Sequence, residues 1–169
     1  MNIINEAGVL AISTRLQRLS EQLRKDGTRI YKEHGIDFEP KWFPVIYVLH
    51  NKPLLSVVEI AAEIGYTHPS TITLLKELEK QKLIRSKKDK HDERKRLIQL
   101  TDKGAELVSK MAPVWDLMIR TLTEITDTTN NLMLAIGEVE AVLKKKGFAD
   151  RAQELKMNDN KKTGRRAKR

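Results

Sequence analysis

Asp92, Glu93, Arg94, Lys95 and Arg96 stand in one unbroken charged run, directly ahead of the alternating apolar residues Leu97, Ile98 and Leu100. A solvated turn needs polar side chains, but it does not need this many cations. Upstream, "PSTITLLK" gathers the hydroxyls of Ser70, Thr71 and Thr73 ahead of Lys76. Small hydroxyls can approach base edges and phosphate oxygens, and an ammonium positions a phosphate without reading sequence. Both groups suit a polyanionic partner.

The distribution of charge agrees. Lys82–Arg96 holds eight Lys/Arg against three Asp/Glu, and Lys156–Arg169 holds seven against one, in a chain of 169 residues with net charge +9. Basicity confined to two segments favours a polyanion over mere solubility. The chain has no cysteine, which removes disulfides and thiolate metal sites. The apolar run Ala7–Ile12 is too short for a signal peptide core or a membrane span, so a soluble, cytoplasmic, non-membrane protein is expected. His34, His50, His68 and His91 are scattered, so neither a metal nor a cofactor is expected. There is no Gly-rich phosphate loop and no cysteine nucleophile, and no enzymatic activity is expected.

The elements that would position these groups follow from spacing. Val9, Ile12, Leu16, Leu19 and Leu23 recur in steps of three and four and predict a helix from Ala7 to His34, capped by Gly35. Its narrow apolar stripe suits packing against another helix. A second, mostly apolar and buried helix is expected from Pro40 to near Asn51. Ser56 and Glu59 have capping-box spacing at the head of a short helix stopped by Gly65. A tight turn then leads to the helix of "PSTITLLKELEKQKLI", with Ile72, Leu75 and Leu78 as its core face. Two short helices joined by a Gly-containing turn form a helix-turn-helix signature. Strands at Leu83–Ser86 and Arg96–Leu100 flank the cationic loop, which completes a winged helix. Thr101 caps a long helix bent at Pro113, "TDTTNN" breaks it, and a helix over Leu132–Leu143 and a short one over Phe148–Lys156 follow.

Asp92, Arg94, Leu100, Thr101 and Gly104, spaced as "DERKRLIQLTDKG", resemble the wing signature of the MarR family of bacterial transcriptional regulators. "STITLLKELEKQKLI" resembles that family's recognition helix. The likeness is strong over Leu54–Gly104; the flanking helices agree in order and type. The fold it implies is mainly α with a small β-hairpin wing, a winged helix-turn-helix joined to a helical dimerisation region. The corresponding divisions are 1–35 (N-terminal dimerisation helix), 36–104 (winged helix-turn-helix), 105–157 (C-terminal dimerisation helices) and 158–169 (a basic disordered tail).

The function implied is a homodimeric, sequence-specific regulator of double-stranded DNA, a ligand-responsive repressor binding an inverted repeat. The recognition helix would enter the major groove with Ser70, Thr71, Thr73 and Lys76. The wing would contribute Lys87, Lys88, Lys90, Asp92, Arg94, Lys95 and Arg96, with Asp92 orienting Arg94 towards the minor groove. A small-molecule effector would sit among Trp42, Phe43, Tyr47, Met111, Trp115 and Met118, residues that equally serve as core. Three places depart from the family pattern: Lys82 stands where glycine is common, Glu93 where a second arginine is frequent, and His68–Pro69 opens the recognition helix. The rival function is a winged helix that binds a protein partner, or DNA without regard to sequence.

Overall fold

The computed structural model describes residues 2–88 and 96–166, the last six as backbone only. Two compact units divide within one long helix, Met1–Leu117 and Met118–Arg169.

The first unit does not open as one continuous helix. Helix α1 covers Ile3–Glu6, a 3-10 turn follows at Gly8–Ala11, and α2 spans Ile12–Glu33. The cause is Gly8, whose φ of 58° lies in the left-handed region and does not continue an α-helix. The apolar row survives the interruption: Val9, Ile12, Leu16, Leu19 and Leu23 all remain exposed. A 3-10 turn at Pro40–Trp42 leads into α3, Phe43–Asn51, which buries Val45, Ile46 and Leu49 but leaves Phe43 and Tyr47 partly open.

Ser56 caps α4, Val57–Ile64, through the reciprocal bonds of a capping box with Glu59, and Gly65 ends it at φ 70°. Helix α5 covers His68–Lys80. Strands β2, Ile84–Lys88, and β3, Arg96–Leu100, pair antiparallel with Ser86 opposite Ile98. A two-residue strand β1, Leu55–Ser56, joins the other edge of β3, giving the order β1-β3-β2. The sheet therefore has three strands rather than the expected two. Ile60, Leu74, Leu75, Leu78, Leu83, Ile84 and Ile98 are buried and form the core that holds helices and sheet together.

Thr101 caps α6, Asp102–Thr126, its Oγ1 accepting from the Gly104 N–H at 3.0 Å. The same hydroxyl faces the carbonyl oxygens of Lys82 at 2.7 Å and Leu83 at 3.2 Å. Lys82 takes φ 59°, the left-handed conformation its position demands of a residue that is not glycine. The helix runs on through Pro113.

The second unit holds the end of α6, α7 (Leu132–Lys145) and α8 (Phe148–Arg166). Asn131 caps α7 by accepting from the N–H groups of Met133 and Leu134, at 3.0 and 3.1 Å. The Arg151 guanidinium donates to the Lys146 and Val142 carbonyls and so satisfies the other end of α7. Helix α8 continues past the expected end at Lys156 and occupies most of the segment expected to be a disordered tail. No proline interrupts it. Met133, Leu134, Val139, Val142, Leu143, Phe148, Leu155 and Met157 are exposed, and no described side chain of this unit is buried.

Candidate nucleic-acid interface

Helix α5 begins one residue earlier than its proline suggests. Thr67 is the cap: its Oγ1 accepts from the Ser70 N–H at 3.4 Å and donates to the Ser70 hydroxyl at 2.8 Å. The capping residue escapes notice in the sequence because three hydroxyl residues compete for the part within five positions. From this start, the helical period sends Thr71, Leu74, Leu75 and Leu78 inward. Ser70, Thr73 and Lys76 stay on the exposed outer face.

Thr71 is thus a correction to the expected contact set. Its side chain is fully buried and donates to the Thr67 carbonyl at 3.0 Å, so it holds the first turn of the helix and offers nothing outward. Ile72, expected in the core face, is only half-buried, because Leu74 takes the inward position. Thr73 donates to the Pro69 carbonyl at 3.1 Å, a local bond a better outside acceptor can replace.

On the wing, Lys87 and Lys88 are exposed at the end of β2 and Arg96 at the start of β3. Lys90, Asp92, Arg94 and Lys95 lie outside the described residues. Lys88 and Arg96 stand directly opposite each other across the two strands. Like charges in that position repel. Arg96 relieves part of the strain by donating to the Ser86 hydroxyl and lying 3.8 Å from Glu79 on α5. Between α4, α5 and β3 runs a groove of about 620 Å³ lined by apolar Val57, Ile72 and Ile98, by the cations Lys76 and Arg96 and by the carboxylates Glu59 and Glu79.

On the flank of that outer face, α5 is fastened by Glu77. Its carboxylate accepts from the Trp42 indole N–H at 2.8 Å and pairs with the Lys41 ammonium at 2.7 Å. These two donors hold the Glu77 carboxyl below its ordinary pKa, and the carboxylate in turn raises that of Lys41. No sequence signal marks this contact, since the partners are 35 residues apart and each sits in an ordinary helical setting.

The expected effector residues separate into two groups. Phe43, Tyr47 and Trp115 come together, with Phe43 stacked on Tyr47 at 5.1 Å and Trp115 edge-on to both at 5.7 Å. Trp42 belongs instead to a ladder with Phe38 and Tyr31, and Met111 is fully buried in the core. Both pack as core, the alternative role expected for these residues. Met118 belongs to the second compact unit. The Trp115 indole donates to the Tyr31 hydroxyl at 2.9 Å, which joins the cluster to the ladder. Burial raises the pKa of the Tyr31 phenol, and the indole hydrogen bond offsets part of the rise.

Among the described residues no group of three His, Cys, Asp or Glu could hold a metal ion, and no helix is long and apolar enough to cross a membrane.

Comparison with known proteins gives the same assignment. No curated protein matches the sequence. Several solved structures share the fold. The transcriptional regulator MOSR of M. tuberculosis, solved in complex with DNA, superposes with a TM-score of 0.67 at 20% identity over 79% of this chain and 96% of its own. MepR of S. aureus, also a DNA complex, gives 0.63 at 22% identity over 79% and 97%. The PcaV transcriptional regulator of Streptomyces coelicolor, in complex with its natural ligand, gives 0.60 at 15% identity over 79% and 94%. The profile of the MarR family matches residues 34–95, which take in α3, α4, α5 and β2. Over residues 34–95, this chain is similar to the MarR family.

Proposed function

We propose that the chain is a homodimeric, ligand-responsive transcriptional repressor that reads an inverted repeat in double-stranded DNA. The observation that carries this function is the open polar face of α5, with Ser70, Thr73 and Lys76, beside a strand pair that sets Lys88 against Arg96. A cross-strand pair of cations is unfavourable in the free protein and becomes favourable when a phosphate neutralises it. Lys76 and Arg96 border one groove, so the two cations stand near enough to serve one DNA backbone. Ser70 and Thr73 are then free to approach base edges in the major groove, and the wing, including Arg94, reaches the minor groove.

Dimerisation is supported by the exposed apolar row from Val9 to Leu23 and by the exposed apolar residues of α7 and α8. A single chain in water does not leave so many large apolar side chains uncovered without a partner. Two-fold symmetry then requires half-sites about one helical turn apart. The effector site is the cluster of Phe43, Tyr47 and Trp115, which suits a small aromatic or apolar molecule. MOSR and MepR, with the same fold, bind DNA, and PcaV binds a ligand. The protein performs no catalytic step of its own and works in the cytoplasm, where its DNA is.

Selection from random duplex DNA at near-physiological salt tests this function, wild type beside Arg94→Ala. Enrichment of an inverted repeat by the wild type, weakened in the variant, is the expected result. Equal, sequence-blind binding by both proteins would leave a winged helix that binds DNA nonspecifically or serves a protein partner.

A further inference from the structure

Glu77 is the carboxylate of α5 that is tied to a neighbouring aromatic residue. Its ties to Trp42 and Lys41 fix the second half of the helix to the 3-10 turn at Pro40–Trp42. From Trp42 an unbroken chain of contacts leads on. Its ring meets Phe38 edge-on at 5.8 Å, and Phe38 meets Tyr31 edge-on at 5.2 Å. The Tyr31 hydroxyl accepts from Trp115 at 2.9 Å, and Trp115 packs against Phe43 and Tyr47. Tyr31, Phe38 and Trp42 are all buried, so none of them can move without displacing the next. Each end of the ladder is closed by a directional indole hydrogen bond rather than by apolar contact alone. Such a bond is either made or broken, which suits a link with two discrete states.

We propose that Glu77 is a positioning residue for the recognition helix, and that the ladder Trp42–Phe38–Tyr31–Trp115 couples the setting of that helix to the state of the Phe43–Tyr47–Trp115 cluster. A molecule entering the cluster would compete with Tyr31 for Trp115. Release of that bond would loosen Trp42, and with it the clasp on Glu77. The coupling is reciprocal, so a change at Glu77 must be felt at Trp115. The role of Glu77 in DNA binding rests on the regulator function proposed above; the coupling does not.

Hydrogen exchange read by mass spectrometry on the full chain tests the coupling without DNA. Trp115→Phe keeps a ring and removes the indole donor. It is expected to speed exchange over His68–Lys80 by about threefold or more, while Ile84–Lys88 and Arg96–Leu100 keep their wild-type rates. Glu77→Ala, which removes the acceptor of the Trp42 indole, is expected to raise exchange around Tyr31 and Trp115 in return. Trp42→Phe, which removes the other indole donor, should reproduce both effects and takes the place of Glu77→Ala if that variant fails to fold. Changes confined to the neighbourhood of each substitution, or spread evenly over the chain, would overturn the coupling. Affinity for a duplex DNA is the separate functional arm. Trp115→Phe and Glu77→Ala should each weaken it, and the double variant should weaken it no more than the worse single one. Changes in exchange without any change in DNA affinity would leave the ladder real and refute Glu77 as a positioning residue for binding.

Discussion

Gly104 lies so close to Leu83 that a Cβ at this position would stand 2.1 Å from the Leu83 carbonyl oxygen. That oxygen also accepts the Thr101 N–H at 3.0 Å, so the chain entering β2 and the first turn of α6 are locked by backbone contact. This joint sets the base of the wing against the long helix. Alanine in a helix interior ordinarily gains up to about 1 kcal/mol over glycine. Here the obstacle is backbone and cannot rotate away. Gly104→Ala should therefore destabilise the protein, by about 1–3 kcal/mol, as overpacking does elsewhere. Thermal or urea unfolding followed by circular dichroism reads the sign directly. A stabilised variant would mean that the contact is looser than the geometry states.

The division of α5 into an inner and an outer face makes the Thr71 hydroxyl and the Lys76 ammonium behave differently. Thr71→Val keeps the buried shape and removes one local hydrogen bond, and the Thr67 carbonyl keeps its bond to the Thr71 N–H. DNA affinity should stay within about twofold of wild type, at a stability cost of about 1 kcal/mol. Lys76→Ala should instead weaken all duplexes alike and reduce the slope of log K against log salt by about 0.9, the signature of one lost phosphate contact. Fluorescence anisotropy at several salt concentrations separates the two. A large loss in the Thr71 variant would place its hydroxyl at the DNA after all.

The Glu77 clasp also sets a pH dependence. Its carboxyl is held below the ordinary value of 4.5, chiefly by the Lys41 ammonium and then by the Trp42 indole. A lowered pKa means that the folded state binds the proton less readily than the unfolded chain. The contribution to stability is therefore present above pH 4.5 and lost as pH falls through the depressed value. Glu77→Gln retains an acceptor for Trp42 and lacks the charge. The melting temperatures of wild type and variant should differ at neutral pH and converge on acidification below that range. Parallel curves down to the acid limit would show that the charge contributes nothing.

Much of this was legible from residue spacing, and the misses share a physical cause. The capping box of Ser56 and Glu59, the stop at Gly65, the Thr101 cap and the second wing strand are local patterns whose partners lie within a few residues. Lys82, which stands where glycine is common in the family it resembles, takes the left-handed backbone that such a glycine implies. Strand β1 was not, because two residues have no measurable period. Gly8 broke a helix whose apolar row continued regardless, since the row depends on side-chain direction and not on unbroken hydrogen bonding. Thr71 and Ser70 are neighbours of similar chemistry, and only the true start of the helix at Thr67 decides which one faces inward. Glu77 with Trp42, and Tyr31 with Trp115, are tertiary contacts between residues 35 and 84 positions apart. Nothing in either local sequence could announce them.

The exposed row on α2 supplies the remaining prediction. Leu16 and Leu19 are 47% and 40% exposed, and neither is needed to hold the first unit together. If the row is the seam of a homodimer, each leucine gains about 1.5–3 kcal/mol on burial there. Leu16→Asp combined with Leu19→Asp removes that gain and adds the cost of desolvating two carboxylates. The association constant should fall by about a hundredfold or more, while the circular dichroism spectrum of the chain stays that of the wild type. Sedimentation velocity over a range of concentrations reads the shift from dimer to monomer. Affinity for an inverted repeat should drop with it, because a monomer engages one half-site and loses the advantage of the tethered second. A double variant that remains a dimer would move the interface away from this helix, to the exposed apolar residues of α7 and α8, where Val139, Val142 and Leu143 are the next to change.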